Sequence, residues 1–301
     1  MKKIIALIGP TGSGKTSISL YLAQKLNAPI INCDCRCIYR GLNIGTAKPS
    51  EHELAAVKHY LIDIIDPNEI YTVGNYKQDA QNILNDNSDH DYIIVCGGTG
   101  LYASALLLNW QIPEFGPNPD LRNKLNQEAN TFGNIFIHEQ LAKLDQQSAN
   151  IININDRVRI IRAIEICLLS GQKASQIRTK NPPLYDVLWV GLNTSNKLIL
   201  QERITQRFNL MVKAGLLAEV KHLYETYGKT QILSNSVNYK EFIDYLEDKI
   251  SYPQALALAL NNNFRLAKKQ IAWFKANKNT NWFNIDESNP TDIINRIMTW
   301  L

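Results

Sequence analysis

Over the first hundred positions the apolar residues come in short, unbroken runs. Lys3 to Ile8 is closed by Gly9, Pro29-Ile30-Ile31-Asn32-Cys33 by Asp34, and Tyr92 to Cys96 by Gly97-Gly98. Such Ile- and Val-rich runs, separated by helical spacing such as Thr16 to Leu26, predict a parallel sheet covered on both faces by helices. Ligands of such sheets sit at the carboxyl ends of the strands. Those ends carry Gly9 onward, Asp34 and Thr99.

From about Ile112 the pattern changes. Pro113, Pro117 and Pro119 break the chain, amphipathic spacing follows at Leu121–Ala129 and Arg157–Leu169, and Pro182-Pro183 closes the segment. Tyr185 to Leu192 returns to a strand pattern. From Lys197 onward the chain is expected to be helical, with long amphipathic stretches at Leu198–Leu217 and Tyr252–Trp273. The expected fold class is α/β. Residues 1–112 and 181–301 form the sheet, its covering helices and a helical C-terminal region, and residues 113–180 form a mostly helical insertion domain.

Composition narrows the class. With 45% hydrophobic and 20% charged residues in 301, the chain has a globular makeup and room for about two domains. No apolar run approaches the roughly 20 residues of a membrane helix, and the start runs into Ile4–Gly9 without a cleavable signal pattern. A cytoplasmic location, no membrane partner and a monomer are expected. Cys33, Cys35 and Cys37 cluster while Cys96 and Cys167 stand alone, which fits reduced thiols better than a disulfide framework or a zinc site. The five histidines are scattered, and no metal site built from protein side chains is expected.

The net charge of +4 is small but unevenly placed. No acidic residue lies between Asp248 and Asp286, where Arg265, Lys268, Lys269, Lys275 and Lys278 fall. A second basic group runs Arg157, Arg159, Arg162, Lys173, Arg178, Lys180. Solvated helix faces would explain both groups; so would a polyanionic partner.

The segment Gly9-Pro10-Thr11-Gly12-Ser13-Gly14-Lys15-Thr16 has the phosphate-loop (P-loop) spacing, between a strand and a helix as that motif requires. Its backbone N–H groups and the helix amino terminus suit a di- or triphosphate, Lys15 adds a full charge, and Thr16 offers a hydroxyl to Mg²⁺. Asp34, after the second strand, is expected to face this loop, where a carboxylate can deprotonate an acceptor. A turn aspartate is the plainer reading. Gly97-Gly98-Thr99-Gly100 brings backbone and a hydroxyl close to the same ligand. These three features alone also describe a small-molecule kinase, in which the loop would bind ATP.

A longer series of blocks separates the two. Asp34 followed by Ile38-Tyr39-Arg40-Gly41-Leu42-Asn43-Ile44-Gly45-Thr46-Ala47-Lys48-Pro49 resembles the signature of the tRNA dimethylallyltransferases. The resemblance continues in order through Leu61 to Pro67, Gly97 to Tyr102, Asn155-Asp156, Arg159 to Glu165, Arg203 to Phe208, Tyr239-Lys240-Glu241 and Ala267 to Phe274. It implies transfer of a dimethylallyl group from dimethylallyl diphosphate to the N6 amine of the adenosine 3′ to the tRNA anticodon. The phosphate loop then holds the donor's diphosphate, with Mg²⁺ as cofactor through Thr16. Catalysis falls to Asp34 as general base, Thr99 and Arg207. The anticodon stem-loop would meet Asp34, Cys35, Arg36, Cys37, Thr99, Arg122, Val158, Arg159, Ile160, Ile161, Arg162, Lys268 and Lys269, and the insertion would serve tRNA binding. The adenosine would leave its stack to react.

The sequence departs from that pattern at several places. Cys35-Arg36-Cys37 replaces a Ser, a variable residue and often Gln; Arg157 replaces a common Pro; Val158 stands for Gln, Asn238 for Gly and Phe264 for Arg. Most of these lie in segments the family uses on tRNA. A prenyltransferase acting on a free adenine nucleotide is therefore a second reading, and a catalytically silent RNA-binding relative a further one. The insertion and the basic C-terminal segment favour tRNA, because a nucleotide needs neither. Lys15 and Asp34 favour activity.

Overall fold

The computed structural model describes residues 1–113, 115–177 and 181–301; Arg178 and Lys180 of the second basic group lie outside them. Six parallel strands form one sheet among the described residues: β1 (Lys2–Ile8), β2 (Ile30–Asn32), β3 (His59–Tyr60), β4 (Tyr92–Gly97), β5 (Tyr185–Asn193) and β6 (Asn281–Asn284), in the spatial order β3-β2-β4-β1-β5-β6. The four strands expected from sequence are all present. Ile5 of β1 is paired with Ile94 of β4 on one side and Leu188 of β5 on the other, and Ile4 to Ile8 are buried throughout. A continuous apolar run is what a strand covered on both faces requires. One face is closed by helices Lys15–Leu26 and Pro290–Met298, whose Ile18, Leu22, Ile293 and Ile297 pack with Leu7, Leu192 and Phe283.

Two expectations need correction. The region after Lys197 is not wholly helical, because β6 extends the sheet at Asn281–Asn284, pairing Gly191 with Trp282 and Leu192 with Phe283. The amphipathic stretch Leu198–Leu217 is two helices, Lys197–Lys213 and Leu216–Tyr227, parted where Gly215 takes φ 100. A left-handed residue ends a right-handed helix, and glycine adopts it without a Cβ penalty.

The chain divides into two compact units. The first comprises Met1–Tyr71, Tyr76–Leu107 and Leu184–Leu301 and carries the sheet. The second comprises Thr72–Asn75 and Leu108–Pro183, so its main segment starts a few residues before, and ends a few after, the expected 113–180. Its helices include Pro119–Leu144, interrupted by Gly133 at φ 87 and ψ 168, Gln146–Ile151 and Arg157–Ser170. Leu125, Ile137, Leu141, Ile160 and Ile164 fill a core of their own. No helix among the described residues is long and apolar enough to cross a membrane.

Candidate active site

The phosphate loop leaves β1 beside β5. A Cβ on Gly9 would lie 2.3 Å from the Leu192 carbonyl oxygen, and its φ is 149, so only glycine lets the chain turn here. Ser13 closes the loop, its hydroxyl donating to the Pro10 carbonyl at 2.8 Å. Helix Lys15–Leu26 begins directly after left-handed Gly14 with no side-chain cap, which leaves its first N–H groups available to an anion. The Lys15 ammonium folds back onto Pro10 O at 2.6 Å. Burial pushes that ammonium down to about 8; nearby Cys96 and Asp34 oppose the shift and Arg207 adds to it. Thr16, on the exposed side, lines the same cavity.

Asp34 follows β2 in a turn of its own making. Its Oδ1 accepts the Arg36 N–H at 2.9 Å, while its N–H donates to Asn32 Oδ1 at 3.0 Å. The carboxylate lines the cavity together with Lys15, Thr16, Cys37, Gly98 and Arg207. The facing of Asp34 and phosphate loop expected from sequence is thus present. Thr99 sits behind this turn: its Oγ1 accepts the Cys35 N–H at 3.0 Å and its own N–H donates to Cys33 O at 3.0 Å. It ties the end of β4 to the end of β2. Burial pushes the Cys33, Cys35, Cys37 and Cys96 thiols upward, so they stay protonated. Among the described residues no group of three or more His, Cys, Asp or Glu could hold a metal ion. A cation here would depend on the ligand's own oxygens and the Thr16 hydroxyl.

Arg207 reaches the cavity from helix Lys197–Lys213. Nη1 donates to Thr11 Oγ1 at 2.6 Å and Nη2 to the Thr46 carbonyl at 3.2 Å, which aims a partly buried guanidinium at the phosphate loop. Sequence reasoning missed Gln270. From helix Tyr252–Lys275 its Oε1 accepts the Thr11 N–H at 2.8 Å, and it lines the cavity. The signal was present only as part of the block Ala267 to Phe274. Thr46, Ala47 and Pro49, from the block after Asp34, complete one wall.

With this geometry in place the comparisons decide the family. The IPP transferase family matches residues 37–277. A tRNA dimethylallyltransferase of Fusobacterium nucleatum is 40% identical over 99% of this chain and 97% of its own, and one of Microcystis aeruginosa is 37% identical over 97% and 91%. The chain belongs to the IPP transferase family. The crystal structure of a tRNA isopentenylpyrophosphate transferase from Bacillus halodurans is similar at a TM-score of 0.74 and 32% identity, covering 99% of this chain and 96% of that one. A eukaryotic dimethylallyltransferase acting on tRNA shares the fold, at a TM-score of 0.81 and 24% identity over 99% and 80%.

Among IPP transferase positions that the resemblance places on tRNA, the structure separates exposed residues from enclosed ones. Val158, Arg159, Lys268 and Lys269 are exposed, Arg159 being paired with Asp156 at 3.3 Å. Ile160 and Ile161 are buried in the insertion core, so their side chains are closed to RNA. Arg122 and Arg162 both bond Glu165, whose side chain is wholly buried: Arg122 Nε to Oε1 at 2.9 Å and Nη2 to Oε2 at 2.7 Å, Arg162 Nη1 to Oε2 at 2.5 Å. Their first task is to neutralise that carboxylate. Arg36 donates to Asn235 O at 3.3 Å, and Cys37 is buried against the cavity.

Two of the departures also have physical reasons. Asn238 has φ 74, where the family's glycine is expected, and Asn is among the few side chains that tolerate it. Its amide bonds Gly45 O at 2.8 Å and accepts from Asn263 at 2.6 Å. Phe264 packs against Leu200, Ile204 and Ala267. Trp273 covers Gly100 and donates to Ser104 Oγ at 3.1 Å while remaining 36% exposed, and Phe274 is buried in the core.

Proposed function

We propose that this IPP transferase moves the dimethylallyl group from dimethylallyl diphosphate to the N6 amine of the adenosine 3′ to a tRNA anticodon, in the cytoplasm. One observation carries the reading: Lys15, Thr16, Arg207 and the Asp34 carboxylate line a single cavity. The cations and loop amides suit a departing diphosphate, and the carboxylate suits an attacking amine. The names of the relatives support tRNA as the acceptor and a dimethylallyl group as what is moved.

An allylic C–O bond breaks readily because the developing cation is delocalised, so the main demand is stabilisation of the leaving charge. Lys15, the N–H groups at the start of its helix and Arg207 supply it. Thr16 would hold Mg²⁺, which when bound adds further positive charge at the diphosphate. Asp34 orients the N6 amine and takes its proton as the C–N bond forms and the C–O bond breaks. Thr99 fixes the turn that carries Asp34. A free adenine nucleotide would leave the exposed Lys268 and Lys269 and the insertion without a role.

Incubation of the protein with labelled dimethylallyl diphosphate and Mg²⁺, with unmodified tRNA or AMP as acceptor, tests the proposal. Label should enter tRNA. Label entering AMP alone would establish the free-nucleotide activity, and, in a parallel incubation with γ-labelled ATP, movement of the γ-phosphoryl to a small acceptor would establish a kinase.

A further inference from the structure

Glu219 lies in the first turn of helix Leu216–Tyr227, yet its carboxylate serves a different part of the chain. Oε2 accepts the backbone N–H groups of Asn43 at 3.1 Å and Ile44 at 2.7 Å, and Oε1 accepts that of Gly45 at 3.0 Å. The Tyr239 hydroxyl completes the set on Oε1 at 2.7 Å. A carboxylate has about four acceptor sites, and here each has a donor. Residues 43–45 belong to no helix or strand, so their N–H groups need a partner outside regular structure. Glu219 supplies it for three in succession, the Asn43 N–H being shared with the Gly41 carbonyl at 3.0 Å.

The segment so held is the one that aims Arg207. Asn238 pins Gly45 through its carbonyl, and the next carbonyl, Thr46 O, accepts Arg207 Nη2 while Nη1 holds Thr11 of the phosphate loop. Thr46, Ala47 and Pro49 line the cavity; Glu219 is not among its lining residues. We infer that Glu219 is a positioning residue for donor capture, acting through segment 43–46 on the guanidinium of Arg207. The inference rests on the diphosphate reading of the site proposed above.

Inorganic pyrophosphate with Mg²⁺, titrated calorimetrically, is the probe, because its binding needs no prenyl transfer. Glu219→Ala should bind it at least about tenfold more weakly than wild type, and kcat/KM for dimethylallyl diphosphate should fall about 10²-fold, mainly through KM for the donor. Glu219→Gln, which keeps one acceptor oxygen and disturbs folding less, should recover part of the loss. The deciding measurement is a double-mutant cycle with Arg207→Ala. If Glu219 acts through Arg207, adding Glu219→Ala to Arg207→Ala weakens pyrophosphate binding little further. Full additivity, or a folded Glu219→Gln and Glu219→Ala pair with wild-type affinity, would overturn the inference. A wild-type protein that binds pyrophosphate but moves no prenyl group sinks the transferase reading and leaves this cycle decisive. One that binds no pyrophosphate removes both.

Discussion

Arg122 closes a two-pronged pair on Glu165, a carboxylate with no exposed surface, and Arg162 and the Asn118 N–H occupy its remaining sites. A buried charge of this kind depends on its partners. Arg122→Ala should therefore lower the unfolding free energy by about 2–3 kcal/mol, read from urea denaturation followed by a probe in the insertion. Loss of tRNA affinity with unaltered stability would instead make Arg122 chiefly an RNA contact.

The insertion should be acid-sensitive. Burial pushes Glu165 upward, but the hydrogen bonds from Arg122, Arg162 and Asn118 outweigh it and hold the carboxyl below its usual range. At Asp145 burial likewise opposes, and bonds from Ser148 and Ser175 bring it down to about 2. A carboxylate depressed in the folded state contributes stability above its unfolded pKa of about 4, and that contribution fades as pH falls through the folded value. Asp145→Asn and Glu165→Gln should thus lose stability near neutrality and converge with wild type only as pH falls through the folded values, about 2 for Asp145. A deficit constant with pH would show that shape, not charge, is what the substitutions remove.

Asp34 offers a clean separation of turn and base. Asparagine at this position still presents Oδ1 to the Arg36 N–H, so Asp34→Asn should keep the turn. Single-turnover prenyl transfer should fall by about 10²–10⁴ with pyrophosphate affinity nearly unchanged. An unaltered rate would exclude Asp34 as the base.

Lys15 should govern the alkaline side of donor binding. Its ammonium, lowered to about 8 chiefly by burial, loses its proton as pH rises through that value, while a bound diphosphate favours the charged form. Donor affinity should weaken above about pH 8. Binding in that range should take up protons, measurable as a dependence of calorimetric heat on the ionisation enthalpy of the buffer. Lys15→Met should abolish the uptake.

Gly98 tests the contribution of Gln270. A Cβ at Gly98 would come within 2.2 Å of Gln270 Nε2, the end of a side chain that can swing away. Gly98→Ala should fold yet release the Thr11 N–H from Gln270, weakening pyrophosphate binding. Gln270→Ala should reproduce that loss, and a normal affinity in both would deny Gln270 a part in shaping the loop.

What could be read from sequence was what local chemistry dictates. The glycine spacing of residues 9–16 and the run Ile4 to Ile8 define a loop after a strand wherever they occur. Asn281-Trp282-Phe283-Asn284 has no β-branched residue and became β6 because β5 offered an edge, which is a tertiary cause. Glu219 and Gln270 were illegible for a related reason. Each serves backbone N–H groups far away in sequence, and nothing in its own neighbourhood betrays the partner. The bonds of Arg122 and Arg162 to Glu165 were illegible too, because a basic residue on a helix carries no mark distinguishing RNA from a buried glutamate as its counter-ion.

The bond from Gln270 to Thr11 spans 259 positions. During synthesis the phosphate loop is made well before helix Tyr252–Lys275, on which its cradle depends. A nascent chain halted before that helix therefore carries the recognisable motif without its finished shape.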